Sequence, residues 1–485
     1  MRNIFYFPFE LFIVCFFLFS CSSTPSTREY AELNYKAGNY DKLEVYLANE
    51  NEDGDKIDLL IDEAMIKFIK GEYKESLSLF NNAYKQMELL TGEMSLGDKI
   101  IAGVSTEDSV KYSGPAYEYS LVDSMSACSF IRLGDLNSAR AMMRRSLNNN
   151  KAAFNELKAR QKKMEDESNA YIMSDSAVSA LEAFELAGED IPVNKLLKSS
   201  KVPDISSEYN LSPFIFYLGS LLFANDNDFN MAKDWIINIA PNLNSNVVNS
   251  IINIPEGKGS INVVSLADNI VRRIENVSNI PIFEDEFGIR MNFKLTSPVV
   301  PQSYNVVKDV YVSVKKANDN HDNIVKRERS IIVEDFDEAV RADVALKANG
   351  SYNRSLIRNI IKKSTAYAVG IAAINATIDI VSEQDVPFGF LIVQHEILAL
   401  QASIIAMDSE EHADTRQGVF FPSKARAAGI ILDPGIYDVI VDYVDARGNI
   451  VFSDTIPSIE VKEGLPSVAS SSFINTGNFI TNSNL

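Results

Sequence analysis

Cysteine, tryptophan and histidine are all scarce in this chain: three Cys, one Trp and three His among 485 residues. Cys15 lies inside an apolar leader and Cys21 closes it, so Cys128 alone remains for the body of the protein. One thiol cannot form an internal disulfide, even in an oxidising compartment. Cys128 falls in an apolar helical segment and reads as a small buried hydrophobe. The three histidines, His321, His395 and His412, do not make a metalloprotease motif, because no second histidine follows His395-Glu396 at the required spacing. No Gly-x-Ser-x-Gly elbow is present. Glu256-Gly257-Lys258-Gly259-Ser260 has the wrong spacing for a phosphate loop, and a strand follows where a helix is required. His412 has Glu410, Glu411 and Asp414 beside it, and a solvated acidic turn is the simpler account of that cluster. The expectation is no enzyme, no metal and no cofactor. Basic residues are also in deficit, 46 Lys and Arg against 66 Asp and Glu, for a net charge of −20. Such a field opposes nucleic acid and favours basic partners. With 46% hydrophobic and 23% charged residues the chain is an ordinary globular one, long enough for two or more domains.

The N-terminus carries Arg2, the apolar stretch Leu11–Phe19 and then Ser20-Cys21. A basic start, a short apolar core and a small residue before the cut describe a secretory signal peptide. A cysteine directly after that small residue reads as a lipobox, with Cys21 as the lipid attachment point. Arg2 and Glu10 cancel, so the mature chain keeps its charge. Ser22 is not the aspartate that holds some lipoproteins at the inner membrane, which favours the periplasmic face of the outer membrane. Beyond Cys21 no segment demands a bilayer. Ala366–Val381 is the nearest, and with Asp379 inside it reads as a buried helix.

A repeat organises the first half. Gly38-Asn39-Tyr40 and Gly71-Glu72-Tyr73 stand 33 residues apart, and Gly134-Asp135-Leu136 and Asn227-Asp228-Phe229 occupy the same place in two later helical pairs. Five residues beyond each first turn residue are Leu43, Ser76, Ala139 and Ala232, small in three of four. Nine residues beyond are Leu47, Phe80, Met143 and Ile236, all large and apolar. A small residue lets two helices approach and a large one fills the groove, which is the tetratricopeptide (TPR) pattern. Glycine suits the turn because it tolerates a left-handed helix end. Ile57–Leu89 is the clearest unit and Pro213–Pro241 follows it closely. A solenoid needs about three units to bury its faces, so four suffice. The charged run Lys151–Glu167 extends the third unit as a solvated face.

After Asn253 the periodicity shifts towards two. Ser260–Leu266, Ile289–Leu295 and Val306–Val314 read as strands, Asp335–Met407 as helix broken at Pro387, and Ala427–Leu432, Ile436–Val444 and Ile450–Ile459 as strands again. The expected fold is α+β: an all-α TPR-like solenoid followed by a smaller α+β domain with an antiparallel sheet. Its parts are a signal peptide at 1–20, helical repeats at 21–252 with an insertion near 90–119, an α+β domain at 253–464 and a disordered tail at 465–485. Ala413-Asp414-Thr415-Arg416 forms a compact polar junction between helix and sheet, where Arg416 can pair with Asp414.

Together these pieces resemble a family of uncharacterised bacterial TPR lipoproteins of the Gram-negative envelope. The resemblance rests on the lipobox, on Leu133-Gly134-Asp135 with Ala139-Arg140 and Arg144-Arg145, on Ser212-Pro213-Phe214, on the Ala413–Arg416 element, and on Asp433-Pro434-Gly435-Ile436-Tyr437. The chain departs from the family after Arg416, where Gln417-Gly418 replaces Ser-Trp. The family has no assigned reaction. Its frequent gene neighbour, the outer-membrane lipoprotein that activates peptidoglycan synthases, implies an envelope role. The leading expectation is a lipid-anchored scaffold that binds a protein partner along the concave face of the repeats. On that register Tyr35, Phe68, Arg132 and Asn225 line the groove. The alternatives are a structural subunit of an envelope export or assembly complex, and a cell-wall or polysaccharide hydrolase in the C-terminal domain.

Overall fold

The structure, a computed structural model, describes residues 27–91, 111–148, 212–317, 323–384 and 388–474. The leader with Cys21, most of the insertion, the charged run Lys151–Glu167 and residues 475–485 lie outside the described residues. Helices come first and sheets after.

Among the described residues of the first half there are four helix pairs: α1 Thr27–Lys36 with α2 Tyr40–Glu50, α3 Ile57–Ile69 with α4 Tyr73–Thr91, α5 Ala116–Arg132 with α6 at 136–148, and α7 Pro213–Asn225 with α8 Phe229–Ile236. The first helix of every pair ends the same way. Gly38, Gly71, Gly134 and Asn227 adopt φ of +70°, +80°, +75° and +63°. Their N–H groups bond the carbonyls of Tyr35, Phe68, Ile131 and Ala224, while the next residues, Asn39, Glu72, Asp135 and Asp228, reach back to Asn34, Lys67, Phe130 and Phe223. This paired closure of the last turn satisfies carbonyls that the helix leaves open, and only glycine or asparagine enters it cheaply. Ser76, Ala139 and Ala232 are fully buried at the helix crossings, and Leu47, Phe80, Met143 and Ile236 fill the space beside them. In the fourth pair a Cβ on Gly219 would lie 2.1 Å from the Trp235 ring, so only glycine admits that indole. Helix α9, Ser245–Ile252, follows, capped by the Asn244 side chain on the Val247 N–H at 2.9 Å.

The second half is larger in strand than the sequence reading allowed. One sheet runs in the order β10-β1-β7-β6, from β1 Gly259–Asn269, β6 Ile331–Asp335, β7 Pro422–Leu432 and β10 Pro466–Phe473. A second runs β5-β4-β8-β9, from β4 Asp309–Lys316, β5 Ile324–Arg329, β8 Gly435–Val444 and β9 Ile450–Val461. β2 Ile274–Glu284 and β3 Arg290–Val299 form a separate ribbon. The two four-stranded sheets pack face to face through Val263, Val312, Ile430, Val439, Val441 and their neighbours. The other face of the first sheet packs on the helices, so the layers are helices, sheet, sheet. β1 is therefore buried at every position, which explains its continuous apolar-and-small sequence. β8 covers one face only and alternates.

Two expectations need correction. Ser- and Asn-rich composition pointed to a disordered tail from 465, yet 466–473 is β10, the parallel edge neighbour of β1, with Ser260 opposite Pro466 and Ala267 opposite Phe473. Small side chains there fit between two layers rather than signal disorder. Ala366–Val381 is no buried helix. It is part of α10 Phe336–Gln384, which runs antiparallel to α11 Gly389–Ser409, and the most apolar stretches of the two are only 17% and 11% buried. By length and composition both helices are able to cross a membrane. The core itself ignores the boundary near 252. Tyr35, Phe80 and Phe223 belong to one cluster with Val264, Leu266, Phe420 and Ile474.

Candidate functional site

The first helix of each pair turns one face towards the sheets, and the four groove residues all stand on it. They converge on β10. Asn225 Nδ2 donates to the Pro466 carbonyl at 2.8 Å, Arg132 Nη1 donates to the Ser470 carbonyl at 2.8 Å, and the Tyr35 hydroxyl donates to the Ile474 carbonyl. Those carbonyls are four residues apart, and the strand runs antiparallel to the order of the helix pairs. Phe68 contacts the strand at second hand. Its ring meets Tyr73 edge-on at 5.5 Å, and the Tyr73 hydroxyl accepts from Arg132 Nε at 2.9 Å. The expected groove residues are thus brought together, but onto the chain's own strand: Tyr35 is fully buried, and Phe68 almost so. A face expected to be open to a partner is occupied in cis.

A second stretch of backbone is held by two acids that the sequence reading passed over. Asp62 Oδ1, on α3, accepts the N–H of Val419 at 2.7 Å and of Phe420 at 3.2 Å. Glu118 Oε1, on α5, accepts the Gly418 N–H at 2.9 Å, while its Oε2 accepts from the Tyr112 hydroxyl at 2.8 Å. Phe420 then stacks on Tyr35 with ring centres 4.3 Å apart. A Cβ on Gly418 would lie 2.5 Å from Ile61, so this loop approaches α3 as closely as glycine permits. Both acids had a visible signal. Asp62 stands in Leu59-Leu60-Ile61-Asp62, and Glu118 between Tyr117 and Tyr119. A carboxylate inside an apolar helical run must find donors, because burial without them is costly. Burial pushes the Glu118 carboxyl up to about 7, against the opposing pull of the Arg273 charge and of its two hydrogen bonds.

The Asp414-Thr415-Arg416 junction lies just before this loop. Arg416 Nε and Nη2 meet Asp414 Oδ1 and Oδ2 at 2.8 and 3.0 Å, and the guanidinium lies over the Tyr112 ring at 5.3 Å. Burial raises the Asp414 carboxyl, but the Arg416 hydrogen bonds and charge outweigh it and hold the group below its ordinary value. The element is a clasp that sets the direction of the loop. Its acidic neighbours do not converge. Glu411 turns inward to Arg358, Glu410 lies 3.9 Å from Lys362, and His412 Nδ1 is 3.5 Å from Glu275. Among the described residues no cluster of His, Cys, Asp and Glu could hold a metal ion. Cys128 is buried, and burial pushes its thiol up to about 12.

No family model matches this chain, and no curated protein matches it. Among solved structures it is similar to a chain of the "TPR2AB-domain:pHSP90-complex of yeast Sti1", with 20% identity over 44% of this chain and 76% of that one. The TM-score is 0.18, too low to speak to fold or partner.

Proposed function

We propose that this protein is a lipid-anchored adaptor of the cell envelope, whose four helix pairs form a TPR-like array that holds polypeptide in an extended form. The anchor and compartment follow from Ser20-Cys21 and from the family resemblance, which also points towards peptidoglycan synthesis. The observation that carries the polypeptide reading is the row of side chains, Asn225, Arg132 and Tyr35, each bonded to a main-chain carbonyl of one extended strand. Recognition through carbonyls tolerates many sequences, as strand-adding peptide sites do. The resident ligand is β10, so a partner strand would have to replace it beside β1.

A second reading, a structural subunit of an envelope assembly, is favoured by the same occupancy: a face filled in cis braces the sheets and leaves docking to other surfaces. One experiment separates the two. A chain ending at Gly464 is titrated with a labelled peptide of sequence Leu465–Ile474, with fluorescence anisotropy as the readout and helical circular dichroism as the check on folding. Saturable binding that the intact chain lacks supports the adaptor. A folded truncated chain that ignores the peptide leaves the structural subunit.

A further inference from the structure

The α10–α11 hairpin outruns the ribbon that supports it. The β2–β3 ribbon reaches its own turn at Tyr367, whose hydroxyl donates to Asp285 Oδ2 at 2.8 Å, and at Gln401, whose Oε1 accepts the Arg290 N–H at 2.8 Å. Beyond that level α10 continues through residues 368–384, a rise of about 25 Å at about 1.5 Å per residue. The basic charges stop below the same level. Arg358 pairs with Glu411, Lys363 with Asp408, and Lys362 lies 3.9 Å from Glu410. Between Lys363 and Arg416 the sequence has no Lys or Arg.

Within the hairpin Ile371, Ile374 and Ile378 pack with Val393, Ile397 and Leu400 along one seam. Two glycines allow the close approach: a Cβ on Gly370 would lie 2.5 Å from Leu400, and one on Gly389 would lie 2.1 Å from Val381. Small residues at the crossing are how helices pack where water gives no drive. The outer rows point in the remaining directions. Phe390, Leu391 and Ile392 are consecutive, so they fan out in steps of about 100°. All three are exposed, at 62%, 46% and 46%. Leu398 and Ile405 carry the exposure down α11, and Val369 and Ile380 carry it along α10. A protein partner covers one face of a helix pair, whereas an apolar surface on every side is what hydrocarbon covers. The hydroxyls agree: Thr377 donates to the Ala373 carbonyl at 2.8 Å and Ser382 to the Asp379 carbonyl at 2.9 Å, so neither requires water.

We propose that the hairpin is a membrane-inserting element, and that beyond Tyr367 and Gln401 its cover is the hydrocarbon of a phospholipid bilayer. The free length of about 25 Å matches the apolar height of an outer membrane, which is thinner than most. The body stays on one side and the tip meets the opposite headgroups. Glu383 at the tip and Asp379 one turn before it then reach the far surface. Glu396, at half height, is half-buried next to Ile397 of the seam, the inward placement that a span requires of an acid. The other interruptions at that height, Asn375, Gln394 and His395, are exposed, but none of them has to carry a charge. This inference is independent of the adaptor reading.

The test uses the full chain carrying Cys15→Ser and Cys21→Ser, with Cys128 left in place because it is buried. A dye is attached in turn at Leu398→Cys, Ile392→Cys, Glu383→Cys and, on β9 of the body, Ile450→Cys. Vesicles of phosphatidylethanolamine and phosphatidylglycerol containing brominated phosphatidylcholine are expected to quench the dyes at 398 and 392 and to spare the one at 450. The dye at 383 should be quenched by iodide trapped inside the vesicles and ignore iodide outside. Leu398→Lys with Ile392→Lys changes two exposed positions, so thermal unfolding should be unaltered while quenching of a dye at Ala373→Cys is abolished. Leu398→Met should keep that quenching. Dyes at 398 and 392 that ignore brominated lipid in a folded chain overturn the proposal, as does a dye at 383 that meets only the outer iodide. Self-quenching of the 398 dye with rising protein concentration, in a chain that ignores lipid, would assign the cover to protein instead.

Discussion

The inner face of the helix pairs and the outer rows of the α10–α11 hairpin are both apolar helical surfaces, but only the first is covered by its own chain. The inner face has polar groups that name its occupant: the buried acids Asp62 and Glu118, the half-buried Asn225 and the more exposed Arg132 each bond a particular backbone group of the sheet half. The hairpin's outer rows offer side-chain shape and little hydrogen bonding. Its hydroxyls are spent on its own carbonyls, Thr377 on Ala373 at 2.8 Å and Ser382 on Asp379 at 2.9 Å. A surface that must hold one segment in one register is specified by polar groups. The hairpin's outer surface carries no such polar instruction.

The comparison is broken most forcefully by truncating a large side chain on each surface. Phe80→Ala, under the helix pairs, is expected to cost about 3–5 kcal/mol. Leu398→Ala on the hairpin should stay within about 0.5 kcal/mol in thermal melts of dilute protein. Equal losses would mean that the hairpin is already covered at that concentration. Asp62→Ala comes next. It strands the Val419 and Phe420 N–H groups and should lower stability by roughly 2–4 kcal/mol, with Asp62→Asn restoring part of it. Recovery by Asn is the sign that the hydrogen bonds, and not the volume, matter.

Acidity sharpens the contrast. Burial raises the carboxyls of Glu118 and Glu334 to about 7 and that of Asp123 to about 6. All three lie above their unfolded values, so folding takes up protons. Their contribution is fully present below the unfolded range near pH 4 and is lost as pH rises through about 6 to 7. The urea midpoint is expected to climb as pH falls from 8 to 5, and Glu118→Gln should flatten that climb. A midpoint that drops over this range would show the acids charged in the folded chain. The smallest effect is at a turn: Gly71→Ala meets open space but must hold φ at +80°, so a loss of about 1 kcal/mol is expected in denaturant titrations.

Much of the first half was legible because a turn residue has to be where the chain turns. The four left-handed ends of the first helices are those marked by Gly38, Gly71, Gly134 and Asn227. The separation of two helices, one ending at Gln384 and the next starting at Gly389, and the strands on both sides of them were equally plain. What hid was tertiary in origin. β10 is rich in serine because it lies between two packed layers, a setting that a short window of sequence does not reveal. Tyr35, Phe68, Arg132 and Asn225 share the face that turns towards the sheets, and nothing local says that residues 466–474 will fill it. Asp62 and Glu118 were readable as acids in apolar runs and were overlooked because the search favoured histidine, cysteine and glycine motifs. The hairpin was taken for core because apolar composition does not tell a buried helix from an exposed one.

The Tyr35 contact with Ile474 spans 439 positions of sequence. At a synthesis rate of about 5–20 residues per second, the helix that holds Tyr35 exists for roughly 20 seconds to more than a minute before its strand is made. Through that interval the row Asn225, Arg132 and Tyr35 has no strand to bond, and a product that ends before Pro466 never gains one. β10 therefore reports that synthesis has passed Ile474. A chain that lacks it leaves that row of side chains open to chaperones and proteases, and a chain that has it does not.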